Sequence, residues 1–253
     1  MARNKTNNDH HIFTKLLKLS IIKGILSIVS SIDFLMVSLR FKTSASSAYP
    51  MSDQIVNELS KHYTLTKKIQ EKFTKSKAWR KLFLVRTYFA VDKGTDTFIL
   101  LLTEKATALS HFDALLIIYH PLPKHIVQLE GILKQSGVVE KFWVSGVEFT
   151  WDFLIKFRRR LHELLRNTVY LRHGRLAFDY VGAQSITSYI NPRKSVKRVR
   201  IYSKDDALID GKPKKSLRFE ITINRVKAQR LGIRVPTDLL FFDMRLLFEI
   251  GFY

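Results

Sequence analysis

Residues 197–225, KRVRIYSKDDALIDGKPKKSLRFEITINR, decide how the second half of the chain is read. Two runs, 197–204 and 216–224, alternate apolar and polar positions as half-buried strands do. Between them, Asp210-Gly211 is a dipeptide that favours a tight hairpin turn. Alternate side chains of a strand share a face. Leu217, Phe219, Ile221 and Ile223 therefore form an apolar set, and Arg218, Glu220, Thr222 and Asn224 a polar one. On the first run Arg198, Arg200, Tyr202 and Lys204 share a face. One carboxylate and one phenol stand among many cations there, and that setting asks for a chemical reason.

The same parity test extends upstream. In 147–153, Val147, Phe149, Trp151 and Phe153 fall on one face, while Glu148, Thr150 and Asp152 fall on the other. GRLAFDYV and SITSYI read as short strands before the hairpin, and RVKAQRLG turns helical after it. Earlier still, ALLIIYH from Ala114 is a buried-strand run. PKHIVQLEGILKQSG follows as a helix, with Ile126, Leu129, Ile132 and Leu133 on one face and Gly137 as its stop. LIKFRRRLHELLRN has the same character, with Leu154, Phe157, Leu161, Leu164 and Leu165 inward and an arginine-rich back. Strands alternating with helices, then a run of neighbouring strands, predict an α+β sandwich whose antiparallel sheet is covered by helices on one face. No internal repeat, Gly-rich phosphate loop or HExxH is present.

The N-terminal half is organised differently. Residues 1–50 form an extension in which an apolar run, Gly24 to Leu39, follows basic residues and contains Asp33. That run is short for a membrane span, and its reading is a targeting presequence or a docked amphipathic helix. KTSASSAYP reads as a linker. Residues 51–110 are expected to be a helical, basic segment, with 52–82 its clearest part and Trp79 among cations. Residues 111–253 are expected to form the α+β domain. The expected location is the cytoplasm, or an organelle matrix if the first segment is a presequence.

Charge narrows the partners. Of 253 residues, 43 are Lys or Arg and 22 are Asp or Glu, a formal net charge of +21. A polyanion is the expected partner, because neutralised phosphates release counterions and give sequence-independent affinity. From 156 to 200 twelve Lys and Arg stand against Glu163 and Asp179 alone. The chain has no Cys, which excludes disulfides, thiolate metal sites and Cys nucleophiles. Carboxylates converging from different strands suit a hard divalent cation, Mg²⁺ or Mn²⁺, with oxygen ligands. A phenol beside such an ion could attack phosphorus. The plainer alternative is a solvated face of Glu–Arg cross-strand pairs.

YINPRKSVKRVRIYSK (189–204) followed by LRFEITINR (217–225) resembles the replication initiation proteins of rolling-circle plasmids and filamentous phages. In that family a Tyr-containing strand and a Gly-Ser-Arg-Lys-Ser-like turn lead into an Arg-hydrophobic-Tyr-x-Lys strand and an Arg-x-Glu strand. VSGVEFTWDF (144–153) is similar to the family's earlier acidic strand, and IIYHPLPKHI (117–126) to its strand-to-helix entry. The likeness covers about 114–232 and departs where Asn191-Pro192 replaces the Gly-Ser turn. It implies a sandwich like that of the HUH nucleases and relaxases, which nick and religate DNA through a phosphotyrosyl intermediate with a divalent metal. Glu148 or Asp152, with Glu220, would be metal ligands. Tyr189 or Tyr202 would be the nucleophile, Tyr189 being preferred for its place before the turn. Arg193, Lys194, Arg198, Arg200, Lys204 and Arg218 would hold DNA. The substrate implied is single-stranded or cruciform DNA, with a helicase as a further partner. The family's His-hydrophobic-His pair is lacking, and His111, His120 and His125 read as structural or surface residues. Two readings of other classes stand beside this one: a non-enzymatic nucleic-acid-binding module, and a basic peripheral membrane protein anchored by 13–40.

Overall fold

In a computed structural model the described residues are 25–42, 48–66, 84–104, 112–155, 158–173, 177–181, 186–191, 197–209, 212–244 and 246–249. The chain divides into two compact units. Unit 1 comprises residues 1–31, 148–223 and 243–253, and unit 2 comprises 32–147 and 224–242. The fold is α+β with antiparallel pairing throughout the registers described.

Two long strands, β1 (Ile25–Phe41) and β6 (Val139–Ile155), contribute to both units. The first of them is a strand and corrects the expectation of a docked helix in the apolar run. Ile25, Ile28, Val29, Ile32 and Val37 are β-branched, which favours a pleated, half-buried chain. Leu35, Val37, Leu39 and Phe41 also recur with the two-residue period of a strand and are buried. Among the described residues no helix is long and apolar enough to cross a membrane.

In unit 2 the strand order is β2-β3-β4-β5-β1-β6. Strands β2 (Thr64–Leu65), β3 (Leu84–Val91), β4 (Phe98–Glu104) and β5 (Ala114–Tyr119) are joined by hairpin-like pairings. The expectation of a helical segment over 51–110 is thus corrected too. Helix α1 spans only Ala48–Ser60, and two strands occupy much of the remainder. The reversal at Asp92–Thr97 explains the change, with Gly94 at φ +86°, a left-handed conformation that glycine adopts without strain. Residues 67–83, including Trp79, lie outside the described residues.

Helix α2 (Pro123–Gln135) buries Ile126, Leu129, Ile132 and Leu133, the face read from the sequence, and Gly137 follows it at φ +70°. Its first turn carries His125, which is buried. Nδ1 accepts the Leu122 N–H at 3.1 Å, so Nε2 carries the proton and donates to Asp92 Oδ2 at 2.7 Å. Burial pushes this imidazole below the usual histidine range, against the pull of Asp92. Glu130, further along the same helix, is buried and accepts from the Thr237 N–H and Oγ1 at 2.9 and 2.7 Å. Those bonds pin the 3₁₀ turn Pro236–Leu240.

In unit 1 the order is β1-β6-β10-β9-β8-β7, with β7 (Ala177–Val181), β8 (Ile186–Ile190), β9 (Lys197–Ile209) and β10 (Lys212–Asn224). Helix α3 (Arg158–His173) packs on β8 and β9 and buries Leu161 and Leu165. Beneath it lie Ile190, Val199, Ile201, Phe219 and Ile221, all buried. The sheet of unit 1 is therefore covered on this face by a helix, and its other face carries the polar set. The turn at Asp210-Gly211 lies outside the described residues, but the strands that it joins pair as a hairpin, Ile209 opposite Lys212.

Protonation of His125 would set a second N–H against the Leu122 N–H and break the cap. Because the folded state holds this histidine below its ordinary value, its contribution is present above about pH 6.5 and is lost as pH falls through the lower folded value. The urea midpoint of the wild-type chain should therefore fall between pH 7.5 and 5.5 more than that of His125→Gln. Equal falls in both proteins would contradict the cap.

Candidate active site

The polar face of the unit 1 sheet carries a pair of cross-strand rows. Tyr189 on β8 stands opposite Arg200 on β9, which stands opposite Glu220 on β10. The second row is Thr187, Tyr202 and Arg218. Directly opposed residues project to the same side of the sheet, so both tyrosines, both arginines and the carboxylate share one face. Asn191, at φ 55°, ends β8 in the left-handed conformation that asparagine tolerates, just after Tyr189.

Glu220 is 1% exposed. Its Oε1 accepts from the Tyr202 hydroxyl at 2.5 Å, and its Oε2 accepts from Arg200 Nε at 2.5 Å. Arg218 Nη1 lies 4.0 Å from Oε1. Burial pushes the Glu220 carboxyl up, while Arg200, Tyr202 and Arg218 oppose that shift. Burial and the Glu220 charge push the Tyr202 phenol well above its ordinary value. The Arg200 guanidinium sits 4.9 Å from the centre of the Tyr202 ring. Tyr202 is thus a proton-holding donor to a carboxylate, the opposite of an activated phenolate.

The acidic residues of β6 divide their work. Asp152, 3% exposed, is bound two-pronged by Arg218, Nε to Oδ1 at 2.8 Å and Nη2 to Oδ2 at 2.5 Å. Ser216 adds a long hydrogen bond to Asp152 Oδ1 at 3.4 Å. Glu148, 9% exposed, instead accepts from Thr222 Oγ1 at 2.8 Å. Its carboxylate lies within 4.8 Å of that of Glu220. Of the two residues proposed from sequence to accompany Glu220, Glu148 is the one that the structure brings near it, and Asp152 is committed to Arg218.

The plain alternative of a solvated polar face does not describe this site. Asp152, Thr150, Arg218 and Glu220 are buried, so their charges interact in a low-dielectric setting where unpaired groups are costly. Arg218 is consequently a partner of Asp152 and not an exposed phosphate ligand. Arg198 is exposed, and Arg200 and Lys204 are partly exposed at the margin of the rows. Arg193 and Lys194 lie outside the described residues. Two residues of the site were not nominated from sequence: Thr150, between Glu148 and Asp152 by parity, and Ser31, whose Oγ lies 2.8 Å from Thr150 Oγ1. Only the parity of β6 carried a signal for the first, and none existed for the second.

Glu148 and Glu220 offer the oxygen-only donors that a hard divalent cation takes. Each Glu220 oxygen already accepts one protein donor, from Tyr202 or Arg200, and keeps a second lone pair that a metal could take. The donor chemistry fits such an ion, with Tyr202 and Arg200 holding the carboxylate from the side.

No protein-family model matches the chain, and no curated protein does. Among solved structures the chain is similar to one described as a rolling circle replication initiator protein from Geobacillus stearothermophilus. Sequence identity is 11% and the TM-score 0.44, over 85% of this chain and 80% of that one. A likeness of that degree leaves the chemistry to be argued from the side chains themselves.

Arg218→Met should strand the buried Asp152 carboxylate and lower stability by about 3–5 kcal/mol. Asp152→Leu combined with Arg218→Met should recover most of that loss, because both charges leave the interior together. Urea denaturation measures both variants, and a double variant no more stable than the single one would contradict the pairing.

Proposed function

We propose that this chain is a replication-initiator-type endonuclease that nicks and religates one DNA strand through a tyrosine. The observation that carries the proposal is the register of unit 1, which lines Tyr189, Arg200 and Glu220 across three adjacent strands. Neighbouring strands are about 4.8 Å apart. A phenol, a guanidinium and a carboxylate therefore lie in one row about 10 Å long, with the guanidinium in the middle. The order of the motifs along the chain, a tyrosine strand, an Arg-x-Tyr-x-Lys strand and an Arg-x-Glu strand, resembles that of initiators of this kind.

In this reading Tyr189 is the nucleophile, because Tyr202 is engaged as a donor to Glu220 and is pushed toward its protonated form. The Tyr189 oxygen forms a bond to phosphorus, the bond from phosphorus to the 3′ oxygen breaks, and the phenol proton reaches the departing 3′ hydroxyl through solvent. Attack by a 3′ hydroxyl on the phosphotyrosine reverses the sequence and religates the strand. Arg200 would exchange Glu220 for a phosphate oxygen as DNA enters, and Arg198 and Lys204 would hold flanking phosphates. Glu148 and Glu220 would hold Mg²⁺ or Mn²⁺, which when bound withdraws charge from the phosphate. Tyr202 would hold Glu220 in its orientation.

A second reading follows from the engagement of both Glu220 oxygens by Arg200 and Tyr202. A site held closed by its own ion pairs suits a nucleic-acid-binding module that has no nuclease activity. The two separate on incubation with labelled single-stranded oligonucleotides and Mn²⁺. The enzyme should give a denaturation-resistant protein–DNA adduct that Tyr189→Phe abolishes and Tyr202→Phe only weakens. Glu220→Gln should slow adduct formation at least 100-fold, about 2.7 kcal/mol in transition-state terms. No adduct with any divalent metal would favour the binding module, and loss in Tyr202→Phe with retention in Tyr189→Phe would reverse the assignment.

A further inference from the structure

Unit 2 carries a cationic surface that the chemistry above does not use. It is built on helix α4 (Arg225–Arg230), the turn after it, and the 3₁₀ turn that ends before Phe241. Asn224 caps α4 by accepting the Lys227 N–H at 3.2 Å, and Gly232, at φ +81°, reverses the chain. Both ends of the stretch are fixed to consecutive residues of β6. The Arg225 guanidinium lies 4.7 Å from the centre of the Trp143 ring, and the Val144 N–H donates to the Arg234 carbonyl at 2.8 Å. Arg225 and Arg234 are therefore held near each other, although nine residues separate them.

Residues 224–242 contain four cations, Arg225, Lys227, Arg230 and Arg234, and one acid, Asp238. Asp238 accepts from the Arg234 and Val235 N–H groups at 2.7 and 2.8 Å and so serves the backbone. Arg225, Arg230 and Arg234 are exposed. Among the described residues none of the four cations forms an ion pair with a carboxylate. Burial pushes Lys227 down, and the neighbouring charge of Arg230 adds to that shift. At the end of the stretch Phe241 is 89% exposed. Phe241 directly follows the 3₁₀ turn Pro236–Leu240, and Asp238 of that turn secures the Arg234 and Val235 N–H groups.

We propose that this surface binds single-stranded nucleic acid, with the sugar-phosphate backbone along Arg225, Arg230 and Arg234 and an unpaired base stacked on Phe241. Guanidiniums bind phosphate oxygens in planar, two-pronged geometry. An exposed aromatic ring gains stacking energy from any base whose face is free. A duplex offers phosphates but no free base face, and an acidic protein offers carboxylates but no stacking partner. The surface needs neither Tyr189 nor a metal, so it stands or falls apart from the nicking reaction.

The test uses the full chain, a fluorescein-labelled dT20 and a 20-base-pair duplex in EDTA, with anisotropy followed across a salt series. Arg230→Gln with Arg234→Gln should weaken dT20 binding about 10-fold or more and reduce the log–log salt slope by about 1.4, roughly 0.7 for each phosphate no longer neutralised. Phe241→Ala should weaken dT20 binding about 5- to 100-fold, leave its salt slope and duplex binding unchanged, and be rescued by Phe241→Trp. Thermal melts matching the wild type establish that these surface variants remain folded. Wild-type affinity in both sets overturns the proposal. Loss with the Arg variants but not with Phe241→Ala overturns the single-strand assignment, and equal competition by poly-L-glutamate overturns the nucleic-acid one. Adduct formation, read separately with Mn²⁺ and Tyr189→Phe, reports on the nicking reaction alone.

Discussion

The burial of Glu220 is the constraint on which the polar face of unit 1 depends. A carboxylate removed from water is costly unless donors meet its oxygens, and two strands supply donors or charges for this one. Tyr202 and Arg200 come from β9, and Arg218 comes from β10 itself. Arg218 is in turn a buried cation, which the two oxygens of Asp152 on β6 offset. Each of these groups is thus required by its neighbour. A shift of one position in β9 or β10 would carry them onto the face packed under α3, away from Asp152 and from each other's donors.

That dependence also separates two roles that charge alone would merge. Arg218 is basic, lies in the DNA-like motif and is nevertheless internal, whereas Arg198 on the same face is exposed. Tyr202 and Tyr189 differ likewise. One is bound to a carboxylate that disfavours its ionisation, and the other stands one strand further along the row. What distinguishes them is depth from the strand that carries Glu220, and depth is a property of strand order.

Strand parity made the second half of the fold legible. The apolar set of β10 and that of β6 are buried, and the polar sets share a face. The helix stop at Gly137 and the hairpin around 210 were readable from local chemistry. Strand order was not, because β1 arrives beside β6 from more than a hundred residues away. The apolar run that became β1 fits a helix or a strand by hydropathy, and only the pairing partners decide between them. For the same reason the sequence could nominate Glu148 and Asp152 together. The choice between them rests on which one Arg218 reaches, a cross-strand fact with no local signature.

Glu130 ties one end of unit 2 to helix α2. A single carboxylate of α2, kept below the usual range by Lys134 and Thr237 against the opposing effect of burial, accepts both polar groups of Thr237. Through Thr237 it secures the turn that precedes Phe241. Amide exchange of residues 236–241 should reflect that attachment together with the burial of Pro236 and Leu239. The attachment thereby also sets the footing of Phe241, the most exposed of the large apolar side chains among the described residues.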